Sequence, residues 1–135
     1  MTDTEPTTGA GKDAVGQITW ADLTVADAEK VRDFYSHVVG WRPTEFKTTG
    51  DYCMDLPDSG KTVAGICHAR GVNADLPPVW LIYINVSDLD ESMRRCVEQG
   101  GRIHVEPRGM GAMGRYCVIQ DPSGAFAALV EPARS

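Results

Sequence analysis

Asp22 and Tyr83 are the side chains best suited by type to move a proton. Asp22 interrupts the strand-like run Ile18-Thr19-Trp20-Ala21-Asp22-Leu23-Thr24-Val25. A carboxylate held between packed strands is costly unless it is paired or solvated. It could bind a ligand amine, act as a base with a raised pKa, or pair with a nearby Arg or backbone amide. The Tyr83 hydroxyl could donate to a ligand carbonyl or satisfy a buried acceptor. His37, His68 and His104, with Cys53, Cys67, Cys96 and Cys117, are the other reactive groups. They form no HExxH, no CxxC and no paired His at strand spacing, so they spell out no metal site. No GxxxxGKS/T, GxGxxG or GxSxG spacing occurs, which leaves phosphate cradles and serine elbows unsupported. The cysteines read as small, mostly buried thiols. Cys53 and Cys67 could lie on neighbouring strands, so one bridge stays open.

The elements that must position these groups follow from periodicity. Residues 1–16 are polar and aperiodic and are expected to form a flexible tail. Ile18 to Val25 alternates as a strand. Asp27 stands where a helix N-cap belongs, and Ala28, Val31, Phe34, Tyr35, Val38 and Val39 recur at helical spacing as a buried stripe. Gly40 stops the helix. Strands are expected over Trp41–Lys47, Asp51–Leu56 and Thr62–Ala69, with turns at Thr49-Gly50 and Asp58-Ser59-Gly60. On that last strand His68 shares the helix-covered face with Ile66. Residues 71–78 form a linker, and then the order repeats. Val79–Val86 is a strand. A helix begins at Ser87-Asp88, with Leu89, Met93, Cys96 and Val97 on its apolar side, and ends at Gly100-Gly101. Arg102–Val105 is a short strand, Glu106–Gly114 a Gly/Met loop, and Arg115–Gln120 and Ala125–Glu131 close the chain.

The repetition is visible in the residues. Val25-Ala26-Asp27 matches Val86-Ser87-Asp88 at an offset of 61, as Gly40 matches Gly101. Tyr52-Cys53 matches Tyr116-Cys117 at 64, as Ser59-Gly60 matches Ser123-Gly124. The change of offset puts three extra residues in the second copy, most simply in its Gly/Met loop, and gives the two tyrosines matching places. The expected class is α+β: a βαβββ module at 17–70, a second at 79–135, and one compact domain overall. A single copy is too small to bury a sheet face well; two would place helices on one face and curve the others around a shared cavity.

Composition narrows the partners. Thirteen Lys plus Arg against nineteen Asp plus Glu give a formal charge of -6, which disfavours nucleic acid and anionic membranes. No apolar run reaches the ~20 residues of a membrane-spanning helix, and the N-terminus has no signal-like apolar stretch. A cytoplasmic setting is expected.

Leu23-Thr24-Val25-Ala26-Asp27, with Phe34-Tyr35 and Val38-Val39-Gly40-Trp41, resembles the opening of the vicinal oxygen chelate superfamily. That group includes glyoxalase I, extradiol dioxygenases, fosfomycin-inactivating transferases and bleomycin resistance proteins. Asp121-Pro122-Ser123-Gly124 resembles its C-terminal strand-turn-strand signature. The resemblance spans Ile18 to Pro132 and implies paired βαβββ modules and homodimers. It also implies, for metal-dependent members, a divalent ion held by His, Gln or Glu from the first and last strands of each module. Here those positions fall on Trp20, Gly65, Leu81 and Ala128. None has a lone pair for a hard cation, so no metal and no cofactor is expected.

Strand alternation then supplies a lining for the cavity: Trp20, Asp22, Thr24, Leu81, Tyr83, Asn85, Phe126 and Ala128, with Gly65 leaving room. These aromatics could instead fill a closed core. Met110 and Met113, in a pliable loop with three glycines, are candidates for a lid. The expected function is metal-independent binding of an apolar or aromatic small molecule. Two alternatives stand beside it: a metal-free lyase or isomerase using Asp22 or Tyr83, and a diverged metal-dependent enzyme of the glyoxalase or dioxygenase type. Open sheet edges favour a homodimer.

Overall fold

The computed structural model describes residues 14–133. The expected tail therefore lies, through residue 13, outside the described residues. The elements are β1 (Ile18–Val25), α1 (Ala28–Val39), β2 (Arg42–Phe46), β3 (Asp51–Asp55), β4 (Thr62–His68), β5 (Trp80–Asn85), α2 (Leu89–Glu98), β6 (Arg102–Gly109), β7 (Arg115–Gln120) and β8 (Phe126–Glu131). This is the expected α+β order, βαβββ twice over. Single 3-10 turns at Gly71–Asn73 and Gly111–Met113 punctuate it. The chain divides into a first unit, Trp20–Leu81, and a second unit from Ile82 onward that also takes the segment up to Thr19.

In the first unit the strands run β2-β3-β4-β1. The β1–β4 pair is parallel and the others antiparallel. Asp27 caps α1 as its sequence position suggests: its carboxylate accepts from the Lys30 amide at 3.1 Å. Gly40 closes the helix at φ 91°, a conformation that costs glycine nothing, and its N–H donates to the Ser36 carbonyl. Ala28, Val31 and Tyr35 lay that helix on Tyr52, Met54, Ala64 and Ile66. Each fully buried side chain such as Met54 or Ile66 contributes ~1.5–3 kcal/mol. The expected stripe is too wide, however: Phe34, Val38 and Val39 are 55%, 64% and 52% exposed. Phe34 lies a ~100° step round the helix from Tyr35, and Val38 continues Phe34's row rather than Tyr35's. Tyr35, Trp41 and Trp80 pack as a cluster with ring centroids 5.3–6.0 Å apart, and the Trp80 indole N–H donates to the Tyr35 hydroxyl at 3.1 Å.

The second unit repeats the plan with β6-β7-β8-β5 and a parallel β5–β8 pair. Asp88 caps α2 through the Glu91 amide at 3.1 Å, while Glu131 accepts from the Leu89 amide at 2.8 Å. Leu89, Cys117 and Leu129 form its helix-side core, with Ile84, Val86, Met93 and Ile119 packed on them. Val97, expected on the apolar side, is 58% exposed. The Gly16 amide donates to the Asn85 carbonyl at 2.8 Å and the Asn85 amide to Gln17 at 2.9 Å, so the chain is anchored before β1 begins.

Two expectations about the second copy are corrected. Glu106–Gly109 is not loop but the end of β6, paired through Arg108–Tyr116 and Gly109–Arg115. Two register shifts inside β6 absorb part of the extra length that the sequence assigns to the Gly/Met loop alone. Nor are Tyr52 and Tyr116 equivalent. Tyr52 pairs with Ile66 in the helix-side core, where the second unit places Cys117 opposite Leu129. Tyr116 therefore points to the opposite face. The Tyr-Cys match is a coincidence of composition one residue out of structural register, and one residue reverses the side of a strand.

Candidate functional site

On β1 of the first unit, Leu23 and Val25 alternate with Trp20, Asp22 and Thr24, and Val25 packs toward α1. Trp20, Asp22 and Thr24 therefore share the face that no helix covers. Asp22 lies opposite Gly65, and Thr24 opposite Cys67. Cys53 on β3 also pairs with Gly65. Gly65 is where these groups converge. A Cβ at that position would sit 3.2 Å from the Asp22 Cβ and 3.3 Å from Cζ2 of Trp20. The room that Gly65 leaves is thus occupied by the Trp20 indole, whose N–H donates to the Asp22 carboxylate at 3.2 Å. Of the partners open to Asp22 in the sequence, this one was not foreseen. Asp22 and Trp20 are half-buried and Thr24 is buried.

The electrostatics of this face are negative. Burial raises the Cys67 thiol far above its ordinary range, and the charges of Asp22 and Asp51, with Cys53, push it the same way. Cys53 is raised by burial and by Asp55. Asp55 in turn accepts from the hydroxyls of Thr44 and Thr62 at 2.7 and 2.6 Å. Asp51 accepts from the His68 amide at 2.9 Å and lies 3.9 Å from the exposed Arg70 guanidinium. Cys53 and Cys67 are diagonal neighbours on adjacent strands. Sheet geometry sets such pairs ~7 Å apart, wider than the ~4 Å Cβ spacing of a disulfide. All four cysteines are free thiols.

His68 falls on the helix side as expected, with its ring 5.7 Å from that of Tyr52 and Nε2 3.2 Å from the Gly50 carbonyl. His37 is exposed near the end of α1, its Nδ1 2.8 Å from the Asp33 carbonyl.

In the second unit, Tyr83 pairs with Ala128, and Asn85 with Val130. The Tyr83 ring lies 5.9 Å from that of Tyr116. Ile84 packs with the helix-side core, so Tyr83 and Asn85 are on the helix-free face, as alternation predicts. Asn85 is 3% exposed and its amide oxygen accepts from the Thr19 hydroxyl at 3.3 Å. Phe126 is half-buried and meets His104 edge-to-face at 4.9 Å. Sequence reasoning missed both aromatic partners. Tyr116 was hidden by its false equivalence to Tyr52, and His104 by a register shift. Met110 and Met113 stand in the β6–β7 turn, and Met113 is 71% exposed. Leu81 is 4% and Ala128 0% exposed.

The four positions that the resemblance assigns to metal ligands thus carry an indole, a bare Cα, an isobutyl and a methyl group. The indole fills the cradle beside Gly65, and its one polar group is a donor already given to Asp22. This set does not fit a divalent cation. Among the described residues no three His, Cys, Asp or Glu side chains gather closely enough to replace it. No helix of the described residues is long and apolar enough to cross a membrane.

Comparison with known proteins places these features. The profile of the Glyoxalase/Bleomycin resistance protein/Dioxygenase superfamily matches residues 17–128. A Mycobacterium bovis protein named "Putative glyoxylase CFP32" is 31% identical over 123 residues, covering 88% of this chain and 47% of that protein. The anthracycline biosynthesis protein DnrV of Streptomyces peucetius is 33% identical over 118 residues, covering 86% of this chain and 42% of that one. The chain therefore spans about half the length of the curated relatives it matches. Among solved structures, methylmalonyl-CoA epimerase from Mycobacterium tuberculosis superposes with a TM-score of 0.53 at 24% identity, covering 88% of this chain and 89% of that one. At that identity the likeness concerns the fold.

Proposed function

The chain belongs to the Glyoxalase/Bleomycin resistance protein/Dioxygenase superfamily, and from that premise we propose that it binds an apolar or aromatic small molecule without a metal ion. The observation that carries this reading is the Trp20 indole lying over Gly65 with its N–H on Asp22. An aromatic wall with one carboxylate stands where metal-dependent members would gather oxygen and nitrogen donors. A mostly apolar surface with a few fixed polar groups is the ordinary makeup of a small-molecule site. On the second unit Tyr83, Tyr116, Phe126 and His104 make a helix-free face of the same character. The names of the Streptomyces relatives, from anthracycline biosynthesis, support an aromatic ligand.

The test begins with protein purified without a metal-charged resin. Elemental analysis should find no stoichiometric Zn, Ni, Fe or Mn. A thermal-shift screen of polycyclic aromatics should then raise Tm, since a ligand at a hundred times its Kd adds ~2.7 kcal/mol to stability. One tightly held transition metal per chain would refute the reading.

A second reading, a metal-free lyase or isomerase, draws on the half-burial of Asp22 beside a hydrogen-bond donor. Turnover lost in Asp22→Asn or Tyr83→Phe while the ligand is still bound would favour it. The setting we propose is cytoplasmic, and the assembly a homodimer.

A further inference from the structure

Among the described residues, the helix-free face of the second unit carries no carboxylate, although the whole chain has a formal charge of -6. Asn85, Val130, Tyr116 and Arg108 lie side by side on it, across β5, β8, β7 and β6. The next row runs from Tyr83 to Val105 through Ala128 and Val118, and a third from Phe126 to Arg102 through Gln120. The acidic side chains of this unit are engaged elsewhere. Asp88 caps α2 and Asp121 its own turn. Glu131 and Asp90 meet Arg115, and Glu91 and Glu98 meet Arg94. Glu106 lies in the β6 bulge, close enough to Cys117 to act on that helix-side thiol. Arg108 and Arg102 are exposed, and neither is joined to a carboxylate among the described residues.

A second observation is independent of the charge count. Between Val105 and Arg108 the β6–β7 register shifts by one residue. Plain alternation from Val105 would set Pro107 opposite Tyr116 and turn Arg108 to the helix side. The bulge sets Arg108 opposite Tyr116 instead. Side chains paired in this way start ~5 Å apart on one face. The Arg108 stem therefore rises beside Tyr116, whose half-buried ring lies 5.9 Å from the half-buried ring of Tyr83.

We propose that this face selects an aromatic acid, its carboxylate held by the Arg108 guanidinium and the Tyr116 hydroxyl and its ring against Tyr83 and Tyr116. A guanidinium offers a carboxylate two parallel N–H donors, and the phenol adds a third. Offset or edge contacts with the two tyrosine rings hold the aromatic body. A cationic ligand would meet Arg108 and Arg102 and be repelled. A neutral one keeps the ring contacts and forgoes the charged ones.

This inference rests on the small-molecule reading above and names the ligand class for it. Calorimetry on the full chain compares three probes of one shape: 1-naphthoate, 1-naphthalenemethanol and 1-naphthylmethylamine. The naphthoate should bind at least ~10-fold more tightly than the alcohol, the effect of one charge-assisted hydrogen bond, and the amine more weakly than either. Arg108→Gln should bring the acid-to-alcohol ratio down toward one, and Tyr116→Phe, which keeps the ring, should reduce it several-fold. Arg102→Gln removes the same charge at the far end of β6 and should leave most of the preference in place. A preference lost equally in that variant is a general effect of charge and overturns the inference. Alcohol binding with no preference for the acid also overturns it, and leaves the small-molecule reading standing. Failure of all three probes overturns the inference and counts against the reading beneath it. The wild-type comparison decides the question even if a variant does not fold.

Discussion

Gly65 decides where the Trp20 indole rests. Alanine there asks Trp20 and Asp22 to give by a few tenths of an ångström; valine asks for more than they can give. We expect Gly65→Val to expel the indole from β4, shift its fluorescence and weaken ligand binding ~10-fold or more, with an overpacking cost of ~1–3 kcal/mol in urea unfolding. Cys117 sets a pH dependence. Burial first, then the Cys96 charge, raises its thiol to about 11 in the folded chain. An unfolded thiol ionises near ~8.5. The folded state therefore binds the proton more tightly. The stability this contributes is intact below the unfolded pKa and is lost as pH rises toward 11. Melting curves between pH 7 and 10.5 should show the loss, and Cys117→Ala should reduce it, leaving the part that the likewise raised Cys67 thiol contributes. The shared face of Trp20, Asp22, Thr24 and Gly65 was legible because alternation fixes sides. That the indole would fill the gap was not, because alternation leaves rotamers undetermined.

Gly114 and Glu131 show how the second unit's elements are tied together. Gly114 has φ 101°, and a Cβ there would lie 2.1 Å from the Glu131 carbonyl and 2.7 Å from the Ala133 amide. Gly114→Ala combines a disfavoured backbone with a collision against main chain. It should cost more than ~3 kcal/mol and leave little folded protein in expression trials. Glu131 joins β8 to the start of α2 through Leu89 and to β7 through Arg115, which also reaches Asp90 at 3.0 Å. Glu131→Ala should lower the urea midpoint, at ~1–2 kcal/mol for a lost helix-start acceptor. These ties explain the uneven legibility of the elements. Caps and strands with local signals, such as Asp27, Gly40 and Asp88, are written in neighbouring residues. The extension of β6 is not. Pro107 and Gly109 look like turn residues until β7 pairs with Arg108 and Gly109 beyond a register shift. The outward row of Phe34 and Val38 likewise matches a core helix in spacing, and only packing shows which arc is used.

At the scale of the whole molecule, duplication was readable in order but not in register. The N-caps Asp27 and Asp88 repeat, whereas the C-caps differ, left-handed Gly40 against Gln99, and so do the hairpins in length, so residues that match by offset can stand on opposite faces. Each unit nevertheless keeps a helix-side core of its own. Sedimentation velocity at micromolar concentration should report a species of two 14.6 kDa chains; a single-chain mass would overturn the proposed dimer. The ring cluster of Tyr35, Trp41 and Trp80 has a spectroscopic corollary. Trp41 and Trp80 lie 6.0 Å apart at 75°, within range for their transition dipoles to couple. Circular dichroism should therefore carry a split indole band from this pair, with Trp20 contributing an emission of its own. One cuvette could then follow the integrity of the scaffold and the occupancy of the site as separate optical signals.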